Sequence, residues 1–154
     1  MNNADKERYS RQIRLAQIGE SGQQAILDAS ALIIGVGGLG SPAAMYLAAA
    51  GIGKLILNDF DIVETSNLQR QIIHRQASVG EHKVESGRQT IAELNPQCQV
   101  ETIIYQLEGE ELKQAIASVD IVLDCSDNFP TRFEVNRYCV ETGTALVSGA
   151  AIRL

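Results

Sequence analysis

The stretch Ala31 to Asp61, ALIIGVGGLGSPAAMYLAAAGIGKLILNDFD, constrains the rest of the chain most tightly. It opens with Ala31, Leu32, Ile33 and Ile34, an apolar run that reads as a buried strand. Gly35, Gly37 and Gly40 follow in G-x-G-x-x-G spacing, with an additional Gly38. Ser41-Pro42 leads into a small-residue helix that Gly51 can stop in a left-handed cap. A second strand, Lys54 to Asn58, delivers Asp59 about 20 residues beyond the glycines. Glycines let the backbone turn tightly and approach phosphate, while a helix N-terminus offers unpaired N–H groups and positive dipole. An acid ending the second strand can bind ribose hydroxyls. A bare G-x-G-x-x-G is weak, but here strand, glycines, helix, strand and acid come in the order a nucleotide cradle needs.

The other bounds are broad. At 154 residues the chain has one domain's worth of sequence, ordinary in its 45% hydrophobic and 21% charged residues. A net charge of −6 with no basic stripe argues against nucleic acid as a partner. The start, MNNADKERYSRQ, has no apolar core, so no signal peptide is expected, and no apolar run reaches membrane-spanning length. Cys98, Cys125 and Cys139 are scattered without C-x-x-C pairing; they suit a cytoplasmic location and form no metal site. Cys125 and Cys139 read as small core hydrophobes, and His74 and His82 as surface or loop histidines.

Taken in order, residues 1–29 read as a helical arm before a nucleotide-binding unit, 30–154. Ile13, Leu15 and Ile18 give the arm an amphipathic segment over 4–18, and Ser21 to Gln24 resembles a capping box for a short helix. Residues 64–71 form a polar loop or single turn. A helix is expected over 81–94, ended by Asn95-Pro96, then a strand over 99–107 and a helix over 110–118. A strand over 119–124, a loop over 125–129, a helix opened by Pro130 and a strand over 144–149 complete the pattern. Strands alternating with helices predict an α/β, Rossmann-like, doubly wound, mostly parallel sheet of order 3-2-1-4-5. That topology brings the glycine turn, Asp59 and Asp127 to one crevice.

A dinucleotide oxidoreductase needs little beyond the glycines and the ribose acid. This chain adds Asn67, Arg70 and Lys83 after the ribose position and Asp127 on the far wall. Arg70 offers a planar fork for phosphate oxygens, and Lys83 a point charge near a helix start. A carboxylate facing phosphates needs a bridging cation, so Asp127 suggests Mg²⁺. Asn128 is the expected cap of the next helix, which leaves Asp127 available. Two or three cations with a metal carboxylate describe a triphosphate better than a pyrophosphate, and such chemistry needs positioning rather than a protein nucleophile.

At these residues the sequence resembles the ThiF/MoeB/HesA family, bacterial relatives of the ubiquitin-activating enzymes. The likeness is carried by RYSRQI (Arg8 to Ile13), GVGGLGSP (Gly35 to Pro42), NDFDIVETSNLQRQ (Asn58 to Gln71), VGEHKVES (Val79 to Ser86), Asn95-Pro96, DCSDN (Asp124 to Asn128) and VSGAAIR (Val147 to Arg153). The resemblance implies ATP-dependent adenylation of the C-terminal carboxylate of a small ubiquitin-like sulfur carrier ending in Gly-Gly, giving an acyl adenylate and pyrophosphate. It places Gly38 against the phosphates, Asp59 on the ribose, Asn67, Arg70 and Lys83 on phosphates, and Asp127 on Mg²⁺. Asp61, Ser66, Gln69 and Asn128 are expected to serve the nucleotide with them, and Arg11 to reach the phosphates of the neighbouring subunit in a homodimer. Family members are longer, and the two C-x-x-C pairs that hold structural zinc lie in their later part, beyond these residues. VSGAAIR and VGEHKVES favour the molybdopterin-synthase small subunit as carrier, with the thiamine-thiazole carrier as the alternative. A nicotinamide- or flavin-dependent oxidoreductase and a non-catalytic nucleotide-binding module are the readings of other classes.

Overall fold

The computed structural model describes residues 1–151. Three helices lead: α1 (Asn3–Arg8), α2 (Ser10–Ile13) and α3 (Gly19–Asp28). There follow β1 (Ser30–Ile34), α4 (Gly40–Ala50), β2 (Lys54–Asn58), α5 (Lys83–Leu94), β3 (Gln99–Ile103), α6 (Gly109–Ala117), β4 (Ile121–Asp124), α7 (Phe129–Thr142) and β5 (Ala145–Ser148). Single 3₁₀ turns at Thr65–Asn67 and Gln76–Ser78 interrupt the long β2–α5 connection.

The sheet has the expected order, β3-β2-β1-β4-β5, with every pairing parallel. Side chains of a strand alternate between its faces, and the apolar residues of β1 feed two cores accordingly. Ala31 and Ile33 join Leu55 and Leu57 with Ala44 and Ala48 of α4 and Val84 and Ile91 of α5. Leu32 and Ile34 join Ile56 and Val122 with Leu112 and Ile116 of α6 and Val135 and Cys139 of α7. Ile34 pairs with Asn58 on one side and Asp124 on the other, so the three central strands end level with one another. The shelf they make is the switch point of a doubly wound sheet.

Gly51, at φ +96°, caps α4 in the left-handed conformation expected of it. Asn128 caps α7 by accepting the Thr131 N–H at 3.0 Å. Three expectations change. The capping box at Ser21 does not form: α3 starts two residues earlier, and Gln23 and Gln24 spend their amides on the Ala50 carbonyl and on Asp28. The third strand stops at Ile103, because the Asn58 amide takes the Ile103 and Tyr105 carbonyls at 3.2 and 2.7 Å and turns the chain away from the ladder. His74 is a loop residue but not a surface one, being only 4% exposed. Of the VSGAAIR segment, Ile152 and Arg153 lie outside the described residues.

The N-terminal helices dock on the C-terminal end of α4. Buried Tyr9 packs where Gly51 has no side chain, and its Oη accepts the Asn95 Nδ2–H at 3.0 Å. Gln12 and Gln23 donate to the Ala50 carbonyl at 3.1 and 3.0 Å. Tyr9, rather than the half-exposed Leu15, is the apolar anchor of this segment. No described helix is long and apolar enough to cross a membrane.

Candidate functional site

A cleft of about 920 Å³ opens over the C-terminal ends of the central strands. Its floor is the glycine turn after β1. Gly35 has φ +88°, and a Cβ there would meet the Cys125 carbonyl oxygen at 2.9 Å. Gly40 does not line the cleft; a Cβ on it would run into the Gly35 carbonyl oxygen, so the glycine lets α4 start directly against the turn. Gly37 and Gly38 face the open volume.

Asp59 ties the second strand to this turn. Its Oδ2 accepts the Val36 N–H at 2.8 Å and its Oδ1 the Asp61 N–H at 2.9 Å. Each oxygen keeps a second lone pair for a hydroxyl donor. Beyond it, the chain runs back and is laced to the start of α5. Val63 N–H meets the Glu81 carbonyl, Gly80 N–H the Val63 carbonyl and Lys83 N–H the Asp61 carbonyl, at 2.8, 2.9 and 3.0 Å. Lys83 is thereby held as the first residue of α5, its side chain 7% exposed, with Nζ 2.7 Å from Asp61 Oδ2. The ammonium and the positive end of the helix point into one region.

The 3₁₀ turn at Thr65–Asn67 supplies two more groups. Glu64 N–H donates to the Asn67 side chain at 3.1 Å, so the bonded atom is Oδ1 and the amide N–H₂ is the end left for a ligand. Arg70 donates one N–H to the Ser66 carbonyl at 3.1 Å, and its stem lies 3.8 Å from where a Gly38 Cβ would be. The guanidinium is thus carried beside Gly38. Ser66 and Gln69 do not line the cleft: Ser66 turns its hydroxyl to Glu64 at 3.1 Å, and Gln69 is exposed. Gln71, two residues further, is 4% exposed and does line it, with Oε1 unpartnered. The polar character of SNLQRQ hides which of its glutamines points inward.

The far wall is the loop after β4. Asp124 is buried and fully occupied, accepting Ser126 N–H at 3.1 Å, Ser126 Oγ–H at 2.6 Å and Ser148 Oγ–H at 3.0 Å. Arg132 of α7 clamps the loop, donating to the Ser126 carbonyl, to the Gly149 carbonyl at 2.6 Å and to Ser148 Oγ at 3.2 Å. With those groups satisfied internally, Asp127 stands exposed on the cleft wall beside Asn128. Arg132 carried no signal in the sequence pattern, because its role depends on β5 lying next to β4. Cys125 also lines the cleft, but burial pushes its thiol up to about 11, so it is no nucleophile at neutral pH.

The cleft therefore brings together Gly35, Gly37, Gly38, Asp59, Asp61, Asn67, Arg70, Lys83, Asp127 and Asn128. It leaves Arg11 outside, exposed on α2 at the other end of α4. Among the described residues no three His, Cys, Asp or Glu side chains gather into a metal-holding group. Of the three carboxylates that line the cleft, Asp59 is engaged by backbone N–H groups and Asp61 by Lys83, so Asp127 is the one left whose chemistry suits a cation such as Mg²⁺. The cleft thus offers two cations, an amide, backbone N–H groups and the Asp59 carboxylate, a donor set compatible with a phosphorylated ligand.

Comparison with known proteins identifies the family. The family model described as the ThiF family matches residues 9–154. The chain is 49% identical over 152 residues to the Escherichia coli sulfur carrier protein ThiS adenylyltransferase, covering 99% of this chain and 61% of that protein. It is 48% identical over 147 residues to the Escherichia coli molybdopterin-synthase adenylyltransferase, covering 96% of this chain and 59% of that one. Among solved structures, Escherichia coli tRNA N6-threonylcarbamoyladenosine dehydratase, TcdA, in complex with ATP, superposes with a TM-score of 0.91 at 31% identity, over 99% of this chain and 63% of that chain. The chain thus spans about three fifths of the length of these relatives. A family match that runs from Tyr9 through the glycine turn, the cation turn and the Asp127 loop shows that the chain belongs to the ThiF family.

Proposed function

We propose that this chain is the nucleotide-binding unit of an adenylyltransferase, which activates the C-terminal glycine carboxylate of a small ubiquitin-like sulfur carrier with ATP. The observation that carries the reading is the facing of Lys83, Arg70 and Asn67 across one cleft from Asp127. Cations opposite the uncommitted Asp127 carboxylate suit a Mg²⁺-bound triphosphate and have no use in hydride transfer.

In this reading Asp59 holds the ribose, and Gly37 and Gly38 offer backbone N–H groups to phosphate. Lys83, Arg70 and Asn67 hold the triphosphate in line for attack. The carrier's carboxylate oxygen forms a bond to the α-phosphorus while the bond to pyrophosphate breaks. Negative charge grows on the leaving group during this step, and the fixed cations stabilise it there. Mg²⁺ held by Asp127 and phosphate oxygens would supply further charge neutralisation. Arg11 lies too far along α4 for its own cleft and is assigned to the cleft of a second subunit. The helices of residues 1–29 then form the arm that delivers it, and 30–154 the adenylation unit.

The sulfur carriers of the molybdopterin and thiamine-thiazole routes share the Gly-Gly tail, and the two named relatives are equally similar to this chain. The molybdopterin-synthase small subunit is the carrier proposed, on VSGAAIR and VGEHKVES. Calorimetric titration with ATP–Mg²⁺ and with NAD tests the nucleotide, and carrier-dependent ATP–pyrophosphate exchange with each carrier tests the substrate. ATP should bind and NAD should not; saturable NAD binding tighter than ATP would overturn the proposal.

A further inference from the structure

Beneath the glycine turn lies a side chain to which the nucleotide reading gives no task. His74 is 4% exposed, with Nε2 3.3 Å from the Val36 carbonyl oxygen and Nδ1 3.0 Å from Ser86 Oγ. Val36 is itself fully buried, and its N–H is the one held by Asp59 at 2.8 Å. The residue that enters the turn is thus gripped at both of its backbone polar groups, from two different elements.

A carbonyl only accepts, so Nε2 must carry a proton to bond Val36. In a neutral ring Nδ1 is then a lone pair, and the Ser86 hydroxyl turns its proton toward it. Ser86 Oγ also lies 2.9 Å from Ser78 Oγ, which accepts the Arg75 N–H at 3.1 Å and lies 2.9 Å from the Arg75 carbonyl oxygen. The acceptor-only Val36 carbonyl, which also faces Ser41 Oγ at 3.4 Å, requires a proton on Nε2 for this contact, and a neutral ring then leaves Nδ1 to accept from Ser86. Burial is the main influence on the ring and lowers its pKa below the ordinary 6.5. The Val36 bond opposes that shift, Lys83 adds to it, Asp59 opposes it and Arg75 adds to it. The ring is neutral at pH 7.

The consequence follows from peptide geometry. In a trans peptide the C=O and the next N–H point in opposite directions, and the chain has no cis bonds. Holding the Val36 carbonyl down toward His74 turns the Gly37 N–H up toward the cleft that Gly37 lines. We propose that His74, as the neutral Nε2–H tautomer, is a positioning residue that sets the Val36–Gly37 peptide and so aims the Gly37 N–H at the nucleotide's phosphates. The inference rests on the nucleotide reading and adds to it a determinant outside the cleft.

The test uses the whole 154-residue chain. His74→Phe keeps an aromatic ring and removes the donor; His74→Gln restores an N–H near the Nε2 position. His74→Phe should bind ATP about three- to tenfold more weakly, the range of one neutral hydrogen bond. Adenosine, which lacks phosphate, should bind both variants as it binds the wild type, and His74→Gln should recover ATP affinity to within about twofold. Long-range ¹⁵N–¹H spectra of the wild type at pH 7 should show a protonated Nε2 and a bare Nδ1; this measurement stands even where a variant fails to fold. An Nδ1–H tautomer or a cationic ring would overturn the proposal. So would unchanged ATP affinity in His74→Phe, an equal loss for adenosine, or a His74→Gln chain as weak as His74→Phe. Failure of the wild type to bind ATP at all would instead strike the nucleotide reading, and this inference with it.

Discussion

Lys83 shows how the fold can change the setting of a single residue. A lysine at the start of an exposed helix is ordinarily a solvated charge, and nothing in its spacing says otherwise. Here its ammonium is nearly buried and paired at 2.7 Å with the exposed Asp61 carboxylate, while its own N–H is bonded to the Asp61 carbonyl. Asp61 is the counter-charge that makes a buried ammonium tolerable, and a bound phosphate would share that ammonium or take it over. Lys83→Ala should therefore weaken ATP binding by about 10- to 150-fold, the range of a charged hydrogen bond. AMP should lose far less, because it lacks the outer phosphates. Titration of both nucleotides into the variant checks this, and equal losses would remove Lys83 from the phosphate site. Both Lys83 and Asp127 were visible in the sequence as residue types in the right order. The Asp61 pairing was not, because it depends on Val63 and Glu81 lacing two loop segments together.

At the scale of elements, the glycine turn separates two jobs that one spacing pattern merges. Gly40 is needed by the fold: a Cβ there collides with the backbone oxygen of Gly35, and backbone cannot swing aside. Gly38 is not needed by the fold, since a Cβ there would meet only the Arg70 stem at an ordinary 3.8 Å, and the proposed function gives it to the ligand. Gly40→Ala should cost about 1–3 kcal/mol, lowering Tm by roughly 2–12 °C for a chain of this size. Gly38→Ala should leave Tm nearly unchanged and still weaken ATP. Thermal melts and ATP titrations of the pair resolve the two roles; equal loss of Tm would contradict the division. The order of elements and the strand order were legible because β1, β2 and β4 are continuous apolar runs separated by glycine and proline signals. What escaped were features set by contacts distant in sequence. The third strand was read through to residue 107, yet Asn58 on its neighbour ends it at Ile103. Ser21 looked like a cap, but it lies inside α3, and the Gln24 Oε1 that a capping box would use accepts from the Met1 ammonium at 2.8 Å. His74 looked like a surface histidine because its partners, Val36 and Ser86, lie 38 and 12 residues away.

For the whole molecule the decisive relation is between Arg11 and the cleft. Tyr9 packs against Gly51 and Gln12 bonds the Ala50 carbonyl, so α2 is fixed at the C-terminal end of α4. The glycine turn is at the other end. An 11-residue helix is about 16 Å long, which exceeds the span of an arginine side chain. Arg11 is exposed at that far end, and the proposed function therefore assigns it to the nucleotide of another copy of the chain. A trans cation also suits the chemistry, because charge develops on the α-phosphate and departing pyrophosphate only during attack. In a chain extended to family length, Arg11→Ala and Asp127→Ala should each be nearly inactive alone in carrier-dependent pyrophosphate exchange. Mixed under conditions of verified subunit exchange, they should recover activity. The heterodimer holds one cleft with intact Asp127 from its own chain and intact Arg11 from the other, while its second cleft lacks both. Recovery is therefore bounded at about half of the wild-type sites in a two-fold dimer, and random assortment lowers it further. If no activity returns although the subunits exchange, Arg11 acts within its own chain or in no site at all.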